Sequence, residues 1–411
     1  MKNTKLFSLL AIAVLLTFCN GAFAAEILKY ANWQWQEPGR EEYINKYVEI
    51  FEKENPNVKV EKVFIPYSAI NDALTTQFEA KSGPDVLFVQ DMTLIPWIER
   101  GYLAELDSLI DLSKYKEFFP VQQASSVKDG KTFAIIYEGF PYAGLSYNKK
   151  LFEEAGVKVP TTPDEFLDVS NKIFEKTGKP GMIHPTDLSN AAYIMQGAMM
   201  VINGFGGRIV DDAGNFMVNK PEFVAGVDFQ RKIFELKSTP SGIQFGVQRQ
   251  QFLAGDAGMV MDGSYWPSLV RMNNPELYEN LGVAKLPFPD PASPFETNWF
   301  AIGADSTKKE LAAKFIEVML RPEVANEWAI ISSIPSLTYT YEAVLENNPW
   351  FKVYEDASPY GIVRMWPGHE ADTNEINKMV ADSIASVMSG QQPAQVAMDN
   401  LQKELEARFG K

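Results

Sequence analysis

Cysteine is almost missing from this sequence of 411 residues, and Cys19 is its single representative. Disulfides and thiolate metal sites are thereby excluded from everything beyond residue 19. Histidine is nearly as scarce: His184 and His369 are the only two, each beside a proline or glycine rather than a partner at metal-ligand spacing. No H-E-x-x-H helix, G-x-S-x-G elbow or P-loop occurs, so the familiar signatures of zinc hydrolysis, acyl transfer and nucleotide binding are lacking. Gly204-Phe205-Gly206-Gly207 lacks the full dinucleotide spacing and reads as a tight turn. Asp211-Asp212-Ala213-Gly214-Asn215 falls short of an EF-hand loop. No metal and no cofactor are expected. Basic clusters are lacking too: 38 Lys and Arg face 53 Asp and Glu, a net charge of −15 and the wrong sign for a nucleic-acid partner. That balance fits a solvated acidic surface and is silent about any ligand.

Beyond the first residues there is no apolar run long enough to span a bilayer. The N-terminal run Leu6–Phe18 is too short for a permanent span. Lys2 and Lys5 precede it and Ala22-Phe23-Ala24 supplies a small-x-small cleavage site, so residues 1–24 read as a secretory signal peptide. Cleavage takes away two lysines and no acid, moving the charge from −15 to −17. Leu16-Thr17-Phe18-Cys19 faintly resembles a lipoprotein box, yet Phe18 is bulky for the position before the cleaved bond. A soluble periplasmic chain is expected rather than a lipid-anchored one.

What the sequence has in quantity is core-forming material: 46% hydrophobic and 12% aromatic residues, including eight tryptophans. Its length exceeds one ordinary hydrophobic core, so two domains are expected. Strand and helix patterns alternate from Ile27 onward, which implies parallel crossovers and an α/β fold. Strands are expected at Ile27–Trp33, Val58–Phe64, Pro84–Val89, Thr132–Ile136, Ala143–Asn148, Gly282–Leu286 and Trp299–Ile302. Tyr137–Pro141 and Ser332–Ser336 are read as crossings between domains.

The most informative stretch is Phe252–Pro267. A helix closed by Gly255 leads into the buried strand Ala257–Met261; Ser264 is expected to cap the next helix, with Pro267 in its first turn. Two rings, Tyr265 and Trp266, thus stand at a strand's carboxyl end, where open α/β sheets bind ligands.

Five segments resemble the extracellular solute-binding proteins of bacterial ABC importers, in particular the carbohydrate-binding family that includes maltose-binding protein. They are Phe51–Val58; Pro84-Asp85-Val86 with Gly101–Asp107; Ser146–Gly156 continuing through Pro160 to Phe166; Phe252–Trp266, against the pattern F-x-x-G-x-A-x-M-x-x-x-G-x-W; and Asn298–Ile302 with Leu311–Ile316. Two departures stand out: Tyr137-Glu138-Gly139 precedes Pro141-Tyr142 at the first crossing, and the aromatic after Gly263 is doubled.

The resemblance implies a two-lobe periplasmic-binding-protein fold, type II-like, with a ligand cleft between lobes joined by crossover hinge segments. Chain order assigns 26–139 plus 299–335 to one lobe and 140–298 plus 336–411 to the other. It implies a carbohydrate ligand, an ABC membrane permease as partner, a monomeric chain and no enzymatic step. A sugar offers apolar C–H faces and a ring of hydroxyls, which call for aromatic rings and planar polar groups. The expected ligand contacts are Trp33, Trp35 and Gln36, with Gln34 between the indoles; Asp91; Tyr265 and Trp266; Asn298 and Trp299; and Arg364 and Trp366. Glu138 is a weaker candidate. A polyamine or phosphorylated polyol as ligand, or a secreted glycoside hydrolase with two convergent carboxylates, stays open on the residues alone.

Overall fold

In the computed structural model the described residues are 25–37, 40–66, 69–189, 191–242, 245–332 and 334–410. The signal peptide, Cys19 and part of the Ser332–Ser336 crossing lie outside them. Twelve strands follow in order: β1 (Glu26–Ala31), β2 (Val58–Val63), β3 (Val86–Gln90), β4 (Val127–Lys128), β5 (Lys131–Thr132), β6 (Ala134–Pro141), β7 (Gly144–Asn148), β8 (Met182–Ile183), β9 (Met259–Asp262), β10 (Leu281–Lys285), β11 (Ser293–Ile302) and β12 (Gly361–Val363).

They form two mixed sheets and a small β4–β5 hairpin. The first runs β12-β11-β3-β1-β2, with β6 also on β11; the second runs β10-β7-β9-β8. Parallel pairs β1–β2, β1–β3 and β8–β9 are the crossovers that the strand–helix alternation implied. The buried run of β3 and the all-buried β9 suit strands covered on both faces.

Helices cover each sheet. Glu41–Glu54 buries Tyr43, Ile44, Tyr47, Val48 and Phe51, one apolar stripe at helical spacing, against the first sheet. Helices Ala191–Gly204, Pro221–Phe234, Thr373–Met388 and Ala394–Phe409 enclose a separate core around Ile202, Phe223 and Ile384. None of the described helices is long and apolar enough to cross a membrane.

Two expectations are corrected. Tyr137–Pro141, read as lying between strands, is the second half of β6, buried throughout and, Tyr137 apart, paired with β11. Ser264 does not cap the helix Trp266–Asn273, whose cap position is Tyr265; the Ser264 hydroxyl is buried without a hydrogen-bond partner. The helix Asp91–Glu99 starts directly where β3 ends. The expected divisions at 139/140 and 298/299 fall inside β6 and β11, paired strands of the first sheet.

His184 lies beneath this framework, 1% exposed, with Nε2 2.5 Å from Gln230 Nε2. Burial disfavours the imidazolium and pushes its pKa down to about 4. Between that value and the unfolded value of about 6.5 only the unfolded chain takes up the proton, so this residue removes roughly 3 kcal/mol of stability as pH falls through the window. NMR titration of the two histidine rings should give one midpoint near 4; a midpoint near 6.5 for His184 would contradict the buried assignment.

Candidate functional site

A cavity of about 910 Å³ opens where strands of both sheets end. The first sheet supplies Trp33 and Gln34 after β1 and Met92 after β3. The paired strands β6 and β11 supply Phe140, Pro294, Glu296 and Asn298, with Tyr142 just after β6. Tyr265 and Leu269 come from beyond β9, Arg364 and Trp366 from beyond β12, and the helix Ala191–Gly204 contributes Met195, Gln196, Met199 and Asn203.

Local periodicity decides which side chains arrive. Along β11 the cavity takes Pro294, Glu296 and Asn298, every second residue, so Trp299 must point to the opposite face. It is fully buried there, its Nε1 donating to Thr297 Oγ1 at 2.9 Å. In the helix Trp266–Asn273, Ser268, Leu269, Met272 and Asn273 face the cavity, which turns Trp266 and Val270 into the core. Trp266 packs on Phe252 with ring centroids 5.7 Å apart. In the tight 3-10 turn Trp33–Gln36, Trp35 turns back to meet Tyr30 edge-on at 5.3 Å and donates to its carbonyl. Gln36 is exposed and off the cavity wall.

Three buried carboxylates back three arginines that line the cavity. Arg364 forks onto Asp91, Nε to Oδ2 at 3.1 Å and Nη2 to Oδ1 at 3.0 Å. The same Nη2 lies 3.4 Å from Glu296 Oε2, which accepts the Tyr142 hydroxyl at 2.8 Å. Arg40 Nη1 donates to Glu138 Oε1 at 3.0 Å, and Asn298 Nδ2 donates to Glu138 Oε2 at 2.8 Å. Gln34 Nε2 approaches both Glu138 oxygens, at 3.4 and 3.3 Å. Arg249 Nη2 donates to the Tyr265 hydroxyl at 2.8 Å, and that hydroxyl donates to Asp262 Oδ1 at 2.7 Å.

Burial pushes the carboxyls of Asp91, Glu138 and Asp262 upward, while the guanidinium facing each pulls it back down. Desolvation likewise raises the phenols of Tyr142 and Tyr265, so both stay protonated and able to donate. Asp91 therefore holds Arg364 and does not itself line the cavity.

Of the ten residues expected from the sequence, Trp33, Tyr265, Asn298, Arg364 and Trp366 share the cavity wall; Asp91 stands behind it; Trp35, Gln36, Trp266 and Trp299 are elsewhere. The sequence reading missed Arg40, Tyr142, Arg249 and Glu296. Only Glu296 left a signal, its alternation with Asn298 along an extended run. The Asp211 turn is closed by its own carboxylate, which accepts from the amides of Ala213 and Asn215 at 3.0 and 2.8 Å.

Comparison with known proteins agrees with this architecture. The GacH receptor of Streptomyces glaucescens GLA.O, solved unliganded and in complex with acarbose and an acarbose homolog, matches with a TM-score of 0.80 at 24% identity, over 94% of this chain and 98% of that one. Maltose-bound T. maritima MalE3 matches with a TM-score of 0.80 at 23% identity, over 93% and 100%. The fold is the two-lobe fold of maltose-binding-type proteins. In sequence, the Multiple sugar-binding protein of Streptococcus mutans is 28% identical over 199 residues, 46% of this chain and 45% of that one. The chain spans about six-tenths of the length of other curated relatives that it matches, 59% in each case. The family described as "Bacterial extracellular solute-binding protein" matches residues 34–326. A family match over more than half the sequence, on a fold shared along almost its whole length, makes this chain a bacterial extracellular solute-binding protein.

Proposed function

We propose that this chain is the substrate-binding component of an ABC sugar importer, a periplasmic monomer that captures a mono- or oligosaccharide and delivers it to a membrane permease. The observation that carries this reading is the composition of the cavity wall. The ring of Tyr265 is the most open to sugar C–H surfaces, with Trp33 and Trp366, each 4% exposed, reaching the wall by an edge, while Gln34, Asn298, Arg364 and Glu296 offer planar donors and acceptors. Each arginine on the wall faces carboxylate, Arg40 with Glu138, Arg249 with Asp262 and Arg364 with both Asp91 and Glu296, so the wall suits a neutral polyhydroxylated guest better than a phosphate ester. GacH with acarbose and MalE3 with maltose support the same class.

No covalent step belongs to this reading. A glycoside hydrolase needs a carboxylic acid free to protonate the leaving oxygen, and Asp91, Glu138 and Asp262 are each engaged by an arginine. Residues 26–139 with 299–335 and 140–298 with 336–411 are read as the two lobes, turning about β6 and β11. A ligand touching both walls favours the closed arrangement, and the permease recognises that arrangement.

A thermal-shift and titration screen tests the reading: mono- and oligosaccharides should raise Tm, whereas putrescine and glycerol 3-phosphate should not. A shift by putrescine or the phosphate ester alone, or release of hydrolysed product, would overturn it. Asp91→Asn should keep the shape and remove the charge that holds Arg364. Because Arg364 keeps 24% side-chain exposure, the expected loss of stability is about 2 kcal/mol, below the range for sealed pairs. Affinity for the sugar found in the screen should fall roughly tenfold, about 1.4 kcal/mol. Denaturant melts and calorimetry of the variant read both; unchanged values in both would remove Asp91 from the site.

A further inference from the structure

Part of the cavity wall is rich in thioether and aliphatic groups, interleaved with Gln196, Asn203, Ser268 and Asn273. The helix Ala191–Gly204 presents Met195 and Met199, four residues apart and so on one face. The helix Trp266–Asn273 presents Leu269 and Met272 at a spacing of three. Met92 and Ile331 join them from two further helices. Four of the chain's 15 methionines line this one cavity. A hydroxyl pressed onto thioether and aliphatic groups loses its bonds to water and gains none, at a cost of about 1–3 kcal/mol each. Sugar C–H faces do not require such a surface, because the ring of Tyr265, with the edges of Trp33 and Trp366, already serves them. The volume of about 910 Å³ lies near the top of the ~300–1,000 Å³ range of small-molecule sites, which leaves room for a second moiety beside a sugar. Methionine is unbranched and polarisable, so these walls accommodate apolar groups of varied outline.

Resting on the sugar-binding reading above, we propose that the ligand is a glycoside with an apolar alkyl or aryl aglycone, its sugar held by the ring and arginine wall and its aglycone by the methionine wall. The class follows from the two surfaces together: an oligosaccharide would set part of its hydroxyls against the methionines, and an all-apolar ligand would leave Gln34, Asn298 and Arg364 facing hydrocarbon.

Titration calorimetry of the mature chain with matched pairs tests this: glucose, galactose and maltose, each against its p-nitrophenyl and n-octyl glycoside below the micellar concentration. Within any pair that binds, the glycoside should bind at least about tenfold tighter, with a more negative heat-capacity change. Met195→Gln and Met272→Gln, with folding checked by circular dichroism and Tm, should bring that ratio below about threefold. Free sugars that bind as tightly as their glycosides would overturn the inference while leaving the sugar reading intact. A ratio that survives both substitutions would also overturn it. Silence of every sugar and every glycoside would fell the sugar reading and this inference together.

Discussion

The site depends on one antiparallel ladder. β6 and β11 pair from Ala134 with Ala301 to Pro141 with Phe295, and the chain reaches the second sheet through β7 directly after β6. The ladder carries an irregularity: Asn298 faces Glu138, the next pair is Trp299 with Ile136, and Tyr137 is left unopposed. Such a bulge bends the strand and re-aims its side chains. Glu138 and Asn298 meet as a consequence, with Nδ2 to Oε2 at 2.8 Å, and Tyr137 is free to pack under Trp328 and Phe300. The strands that join the sheets are therefore the strands that carry the floor of the cavity.

The second constraint is electrostatic. Asp91, Glu138 and Asp262 are almost wholly out of water, which is expensive for a charge unless a partner compensates it. Each partner is an arginine whose other face reaches the cavity. Asn298 and Gln34 also reach Glu138, the Met92 amide donates to Asp91, and the Tyr265 hydroxyl and Gly263 amide donate to Asp262 Oδ1, while among the described residues Asp262 Oδ2 is met only by Arg249 at 3.6 Å. The effect is to fix five-donor planar groups at the wall with no net local charge from these three pairs, inside a chain whose overall balance is strongly acidic. Orientation, not attraction by net charge, is what this wall supplies.

Much of the fold was legible because its signals are local. Helix and strand periods, Gly255 at positive φ, and the breaks before Pro163 and at Gly390–Pro393 need only neighbouring residues. The site was half legible for a reason visible in the tryptophans. Sequence shows that an indole sits near a strand end, but its face depends on register, and a shift of one residue reverses it. Trp299 lost to Asn298 and Trp266 to Tyr265 on that ground. The family-like pattern places its ring two residues after Gly263, where Tyr265 stands, so the doubled aromatic hid the answer in plain order. Arg40 and Arg249 were invisible because their partners lie 98 and 13 residues away in sequence, through contacts only the tertiary fold creates.

Contacts at and behind the cavity wall bear on how a guest acts. On one flank Arg364, beyond β12, holds Asp91 at the start of the helix after β3. On another, Ser268 Oγ donates to the Ile331 carbonyl at 2.9 Å, and Arg271 donates to those of Ile330 and Asn347 at 3.2 and 3.1 Å. The acceptors at Ile330 and Ile331 are end carbonyls of the helix Pro322–Ser332, which lack partners within their own helix and carry its negative pole. Elements that pack on different sheets are thus tied by the protein's own polar groups. On the lobe-closure reading, a guest bridging both walls adds its contacts to these, so the free energy that separates open from closed is shared between ligand and protein. On the same reading, a substitution at Arg271, which is off the cavity wall, acts on the closing equilibrium and reaches affinity through it.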